Sequence, residues 1–300
     1  MFDYHQRCLM NLSDTYTLMY GFVGKQLVED LGVDGEAALR EASRKFGYDR
    51  AECSRAKHLA VNAKINMLNL FTLFHDLPGD PRFRRELQEI NPQERVSHTL
   101  VCPMADVWAK FGQKEIGRIY CEEFHPACYN HYAFDHAEVN LSKTLTQDGD
   151  EYCDFNVILR PEHLPDDLKP VCFAEYDPYY VQPEFEQPPI DGKVGFGTLF
   201  VKLFYYLYRQ ASQDLGQAGT EACRKGLQAC AAAVAGLFQE RAQEGNDVID
   251  SKYVVDNLPI DLKTSSVDSA FWKNYSDCPA MEELQTYFCD PLAAALGLPS

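Results

Sequence analysis

Positive charge is what this chain has least of. It sets 28 Lys and Arg against 45 Asp and Glu, a formal net charge of −17, and no basic stripe interrupts that excess. A nucleic-acid surface needs such a stripe, so nucleic acid is not an expected partner. Long apolar runs are missing as well. The longest, Ala229 to Phe238, falls far short of the roughly 20 apolar residues that span a bilayer, so no membrane partner is expected. The first residues lack the basic-then-apolar order of a signal peptide. The eleven cysteines are odd in number and follow no small-scaffold spacing, which argues against a disulfide framework. A soluble, cytoplasmic protein with reduced thiols is expected.

What is present suffices for a core. Of 300 residues, 46% are hydrophobic, enough for one large domain or two smaller ones. Apolar spacing predicts a first helix capped by Ser13 and running to about Asp30, with Leu18, Phe22 and Val23 inward and Leu31-Gly32 at its end. A second starts near Asp34 or Gly35 and reaches Phe46-Gly47. A third, capped by Asp49, carries Leu59, Ala60, Ala63, Met67, Leu70 and Phe71 toward a core. His58 and His75, on or beside it, read as surface or capped histidines. After the turn Pro78-Gly79-Asp80-Pro81, two strands are expected, Phe83 to Ile90 and Arg95 to Val101, about Asn91-Pro92.

Candidate chemistry concentrates between Cys102 and Phe155, which holds four of the eleven cysteines and three of the eight histidines. Pro103 suits a first helical turn, and Gly112 closes that short helix. In the next helix Ile116, Ile119, Tyr120 and Phe124 share a face. Cys121 and His125 lie four apart and so face the same way, and Pro126 is expected to stop the helix. A hairpin follows. Val139, Leu141 and Leu145 alternate with Glu138, Asn140, Ser142 and Thr144; after the turn, Cys153, Phe155, Val157 and Leu159 alternate with Tyr152, Asp154 and Asn156. With the two earlier strands this gives a small antiparallel sheet packed on helices, an α+β fold.

Three pieces of this segment occur in a fixed order. Cys102-Pro103 leads, through Ala105 and Val107-Trp108, to Gly112. Glu115-Ile116-Gly117 leads to Tyr120-Cys121. Lys143-Thr144-Leu145 is followed by Gly149-Asp150 and Cys153-Asp154-Phe155. In these the chain resembles the L-2-amino-thiazoline-4-carboxylic acid hydrolase family, over roughly Asp14 to Arg160. The resemblance implies an α+β fold and hydrolytic opening of a small sulfur–nitrogen heterocycle. The chain departs from the family pattern in carrying Glu122, Glu123 and His125 where an aspartate is expected soon after the cysteine.

Residue chemistry makes Cys121 a candidate nucleophile or ligand. A helix C-terminus does not favour a thiolate, but it favours a protonated imidazole, so His125 would be the partner that ionises the thiol. The alternative is a core cysteine beside a helix-capping histidine. Cys121, His125, Cys128 and His131, with His136 beyond, also invite a zinc reading. No finger or metalloprotease spacing is present, so neither metal nor any other cofactor is expected. His136 and Glu138 are acid–base candidates at the hairpin's polar face, with Asp154 to orient them. Arg118, Lys143 or Arg160 would meet a substrate carboxylate, and Tyr129, Tyr132, Asn140 and Asn156 would line the ligand. Cys153 reads as packing. The others have a plain alternative as solvated or core side chains.

From Pro161 to Pro189 the chain carries seven prolines and reads as an extended connector lying on the first half. Beyond it, a shift of 184 places Leu203–Arg224 on Met19–Arg40 with seven identities in 22 positions, among them Gln26/Gln210, Asp30/Asp214, Gly32/Gly216, Gly35/Gly219 and Arg40/Arg224. Cys278-Pro279 echoes Cys102-Pro103. Chance likeness of short helices is the alternative. The expected organisation is a hydrolase-like α+β unit over 1–160, a proline-rich connector over 161–192, and a mainly helical, truncated second copy over 193–300. The expected function is a hydrolase opening a C–N bond of a small, carboxylated, cyclic amidine-like heterocycle such as a 2-aminothiazoline carboxylate. It would act as a monomer with an internal pseudo-twofold axis or as a weak homodimer. The alternatives are a non-catalytic small-molecule sensor and a structural partner of an active paralogue.

Overall fold

The fold hangs on two long helices that lie against each other. The computed structural model describes residues 2–74, 79–184, 186, 191–260 and 279–298. Helix α1, Tyr4–Ala60, begins at Asp3, whose carboxylate accepts from the Gln6 amide while the Gln6 side chain accepts from the Asp3 amide. Ser13, the expected cap, lies inside this helix with 2% of its surface exposed. The three helices expected here are one helix with a single bend, at Gly32 (φ 57°, ψ −131°). That backbone region is open to glycine alone at little cost. Phe46-Gly47 and Asp49 do not interrupt the helix, since Phe46 and Ala51 are both fully buried and hold it continuous. Its last turn reverses the expected facing: His58 is buried, with Nδ1 2.6 Å from the Tyr132 hydroxyl, and Leu59 is 49% exposed. After Ala60 the chain restarts as α2, Met67–Thr72.

One four-stranded antiparallel sheet follows: β1 Arg84–Asn91, β2 Glu94–Val101, β3 Glu138–Lys143 and β4 Cys153–Ile158, in the order β1-β2-β4-β3. Arg95 pairs with Val157, Ser97 with Phe155 and Thr99 with Cys153, and these six residues are buried on the inner face. Between the hairpins run α3, Pro103–Lys110, and α4, Lys114–Tyr132. Pro126 does not end α4, which continues for six residues beyond it. An internal proline costs about 3 kcal/mol. Burial of Phe124, Cys128 and Tyr132 on either side, at roughly 1.5–3 kcal/mol per large apolar side chain, offsets that.

The segment after the sheet forms short helical turns at Pro161–His163, Lys169–Cys172 (α5) and Ala174–Tyr176. Cys172 and Phe173 enter the core, and Lys64 meets Asp177 at 2.7 Å. Residues 187–190 of the connector, His75, Pro78 and the Cys278 echo lie outside the described residues. Helix α6, Gly192–Gly245, starts on Asp191 and bends at Gly216 (φ 57°, ψ −134°), 184 positions after the bend in α1. Then come α7 (Ser251–Asn257), α8 (Ala280–Leu284), a π-helical turn (Gln285–Cys289) and α9 (Asp290–Ala295). Helices α1 and α6 share one core, in which Val23, Leu27 and Leu39 belong with Leu203, Leu207 and Leu227. Among the described residues no helix is long and apolar enough to cross a membrane.

Candidate active site

The three motif pieces meet at one cavity of about 280 Å3. Each brings a cysteine to its wall: Cys102 from the start of α3, Cys121 from α4, Cys153 from β4. The motif's remaining residues set these positions. Pro103 opens α3, and Trp108 locks it to α1 by donating its indole N–H to the Thr17 carbonyl at 3.0 Å. Gly117 lets α4 lie on that ring, because a Cβ there would stand 2.2 Å from Trp108 Cε3. In the β3–β4 loop Asp150 accepts from the Thr144 amide at 2.9 Å, and Cys153 Sγ from the Leu145 amide at 3.3 Å.

Arginines dominate the polar lining. Arg50 of α1, Arg85 of β1 and Arg95 of β2 reach the cavity, and no Asp or Glu does among the described residues. Arg85 is exposed at the mouth, with Nε 3.3 Å from Thr99 Oγ1. Arg50 stacks on Phe124, 5.0 Å from the ring centre. Arg95 is 6% exposed, its guanidinium 4.2 Å above the Phe71 ring, and it has no hydrogen-bond or carboxylate partner among the described residues. Burial, with Arg85 nearby, lowers it from the ordinary arginine value to about 10.

Cys121 and His125 stand one turn apart on the cavity side of α4. His125 packs edge-on to Phe155 with ring centres 5.0 Å apart, and its buried Nδ1 has no hydrogen-bond partner among the described residues. Burial, then Arg50, Arg85 and Arg95, pull the imidazole down to about 3, so it is neutral. Because α4 runs on to Tyr132, no helix terminus is there to favour an imidazolium, and the expected ionisation of Cys121 by His125 does not hold in the open cavity. Burial, with Cys102 and Cys153 as neighbours, raises the Cys121 thiol well above its ordinary range. Cys102 is likewise pushed up to about 12 by burial.

Of the candidate residues, the cavity therefore gathers Cys121, His125 and Tyr129. Tyr132 is fully buried behind it, bonded to His58. Asp154 turns to the outer sheet face, where it accepts from Ser142 at 2.7 Å and lies 3.5 Å from His98. Glu138 faces outward near His163, 3.6 Å away, and Asn140 is exposed. His136 and Asn156 do not line the cavity either. Arg118 is held on the helix surface by Glu115 and Glu122, Lys143 is exposed beside Tyr152, and Arg160 pairs with Glu94 at 2.8 Å. Glu122 and Glu123 pair with Arg40, away from the cavity. His131, from the zinc-like spacing, instead meets Glu52 and Asp135. Among the described residues no three His, Cys, Asp or Glu side chains are placed to hold a metal ion.

Sequence reasoning missed the arginines. Their signal lay in β2, where Arg95, Ser97 and Thr99 occupy alternate positions that a default reading turns to solvent.

A helical layer packs Cys121 and three guanidiniums against a small antiparallel sheet, in one α+β unit. The family model described as L-2-amino-thiazoline-4-carboxylic acid hydrolase matches residues 14–157, so this unit is similar to that family. No curated protein and no solved structure matches the chain.

Proposed function

We propose that the protein is a hydrolase opening the ring of a small carboxylated heterocycle, a 2-aminothiazoline carboxylate or a close analogue, with Cys121 as nucleophile and His125 as base. The observation that carries this is the placement of Cys121 and His125 in one cavity with the buried Arg95, which has no carboxylate partner among the described residues. The thiol proton passes to His125 as Sγ adds to ring carbon C2, and His125 delivers that proton to ring nitrogen N3. The C2–N3 bond then breaks as the exocyclic amine forms C=N and gives its proton to N3. Water adds to C2, the nitrogen keeps a proton, and Sγ leaves as the thiol. Turnover of 2-aminothiazoline-4-carboxylate tests the reading. Cys121→Ser is expected to abolish turnover with the unfolding midpoint nearly unchanged; retained turnover with lost stability would remove Cys121 from the mechanism.

A second reading has an observation of its own. In the open cavity the thiol is protonated and the imidazole is a weak base, the condition of a pocket that binds without reacting. Binding of the carboxylate without turnover would favour this sensor reading.

We also propose that the helical second half is a partial copy of the first. Supporting it are the matching bends at Gly32 and Gly216 and the matching bonds from Gln26 to Asp30 (2.8 Å) and from Gln210 to Asp214 (2.6 Å). Arg40 reaches Glu123 of α4 as Arg224 reaches Glu283 of α8. Failure of segments 19–40 and 203–224 to superpose in a crystal structure would end this proposal.

A further inference from the structure

Among the described residues Arg95 is the one buried cation of the cavity, and no carboxylate lies against it. Removing a guanidinium from water without a partner is costly, and proteins tolerate it where a ligand supplies the missing anion. Arg95 is in that position in a chain with 17 more acidic than basic residues, yet no acid lines its cavity among the described residues. Its guanidinium carbon lies 4.2 Å from the Phe71 ring centre, and a guanidinium held there still carries the planar fork of N–H donors that matches a carboxylate. Arg85, on the neighbouring strand at the mouth, adds a second positive charge beside it. His125 lines the same cavity, and its buried Nδ1 has no hydrogen-bond partner among the described residues.

We infer that Arg95, assisted by Arg85, is the anchor for the carboxylate of a compact, aromatic-walled ligand, and that seating this carboxylate is what lets His125 accept a proton. The inference rests on the proposed ligand class but not on turnover. Among the described residues the charged and titratable groups around His125 are Arg50 and Tyr16 from α1, Arg85 from β1, Arg95 from β2, Cys102 before α3 and Cys153 from β4, with Tyr120, Cys121, Cys128 and Tyr129 on its own helix. All three arginines oppose a proton on the ring. A carboxylate on Arg95 cancels part of that field, so the base becomes competent once the substrate is in place, and the empty cavity stays unreactive.

Calorimetry with thiazole-4-carboxylate and its neutral carboxamide, on the full chain, tests this without any reaction. The carboxylate is expected to bind at least tenfold more tightly than the amide. Arg95→Met should remove that preference while leaving amide binding unchanged, and Arg95→Lys, which keeps the charge but not the fork, should fall between. Nitrogen NMR of His125, assigned with His125→Gln, should show the imidazole titrating at higher pH in the carboxylate complex than in the free protein. Equal binding of acid and amide, no binding of the acid at millimolar concentration, or an unchanged titration would overturn the inference. Selective binding without turnover of the thiazoline would support the anion site and end the hydrolase reading.

Discussion

His125 ties the chemistry of the cavity to the stability of the fold. In the unfolded chain the imidazole takes a proton near its ordinary 6.5; in the folded protein burial and the three arginines delay this to about 3. Between those values the unfolded state binds more protons, so folding stability rises with pH. The contribution is fully present above 6.5 and is lost as the pH falls toward 3, at about 1.4 kcal/mol per pH unit for one site. His125→Gln should flatten this acid limb, and urea unfolding at pH 4, 5 and 7 measures it. Parallel losses in wild type and variant would show that His125 does not carry it. At this scale the sequence was legible on α4: Cys121, His125 and Tyr129 are four apart, and all three line the cavity. It was misleading on the sheet. A rule that turns apolar residues inward sends Arg95 to solvent, whereas pairing in register with the buried Val157, Phe155 and Cys153 of β4 turns Arg95, Ser97 and Thr99 inward.

Element boundaries followed tertiary packing more than local signals. The strands and the sheet were legible in the alternation of residues 83–101 and 137–160, because a period of two leaves little choice of face. The breaks expected at Gly47, Asp49 and Pro126 were overridden by burial on both sides of each. Gly32 is different, since its positive φ with ψ near −131° makes a true bend, and Gly216 repeats it. Gly32→Ala and Gly216→Ala should each destabilise the protein by about 1–3 kcal/mol, the strain of a side chain in that region. Gly236, inside α6 with open space where a Cβ would be, is the control. Gly236→Ala should be neutral or stabilising by up to about 1 kcal/mol from helix propensity. Chemical denaturation of the three variants compares them directly, and a Gly32→Ala protein as stable as the Gly236→Ala protein would show that the bend is not strained.

At the scale of the whole molecule, a boundary near residue 160 separates sequence textures but does not separate cores. The buried side of α1 is covered by α6, and at Gly226 the two backbones come so close that a Cβ would lie 2.6 Å from Val23 Cα. Polar ties cross the same seam. Asp14, almost fully buried, accepts from Arg241 at 2.8 Å and from Arg82 at 2.5 Å, and Asn11 accepts from Arg241 at 2.6 Å. Lys202 meets Asp49 at 3.1 Å, and Lys225 meets Asp30 at 2.9 Å. Cutting the chain would leave Asp14 and Arg82 without their third partner and bare the apolar length of α1, a patch well beyond what a soluble monomer exposes. Among the described residues every lining residue of the cavity belongs to the first half, yet its walls from α1 and α4 stand on this shared core. Residues 1–160 expressed alone should therefore aggregate or lose helicity, and residues 191–300 supplied in trans should restore a folded complex. The intact chain should unfold in a single transition by both circular dichroism and tryptophan fluorescence. A soluble 1–160 fragment with full helicity and carboxylate binding would show instead that α6 is an addition to a unit that stands alone.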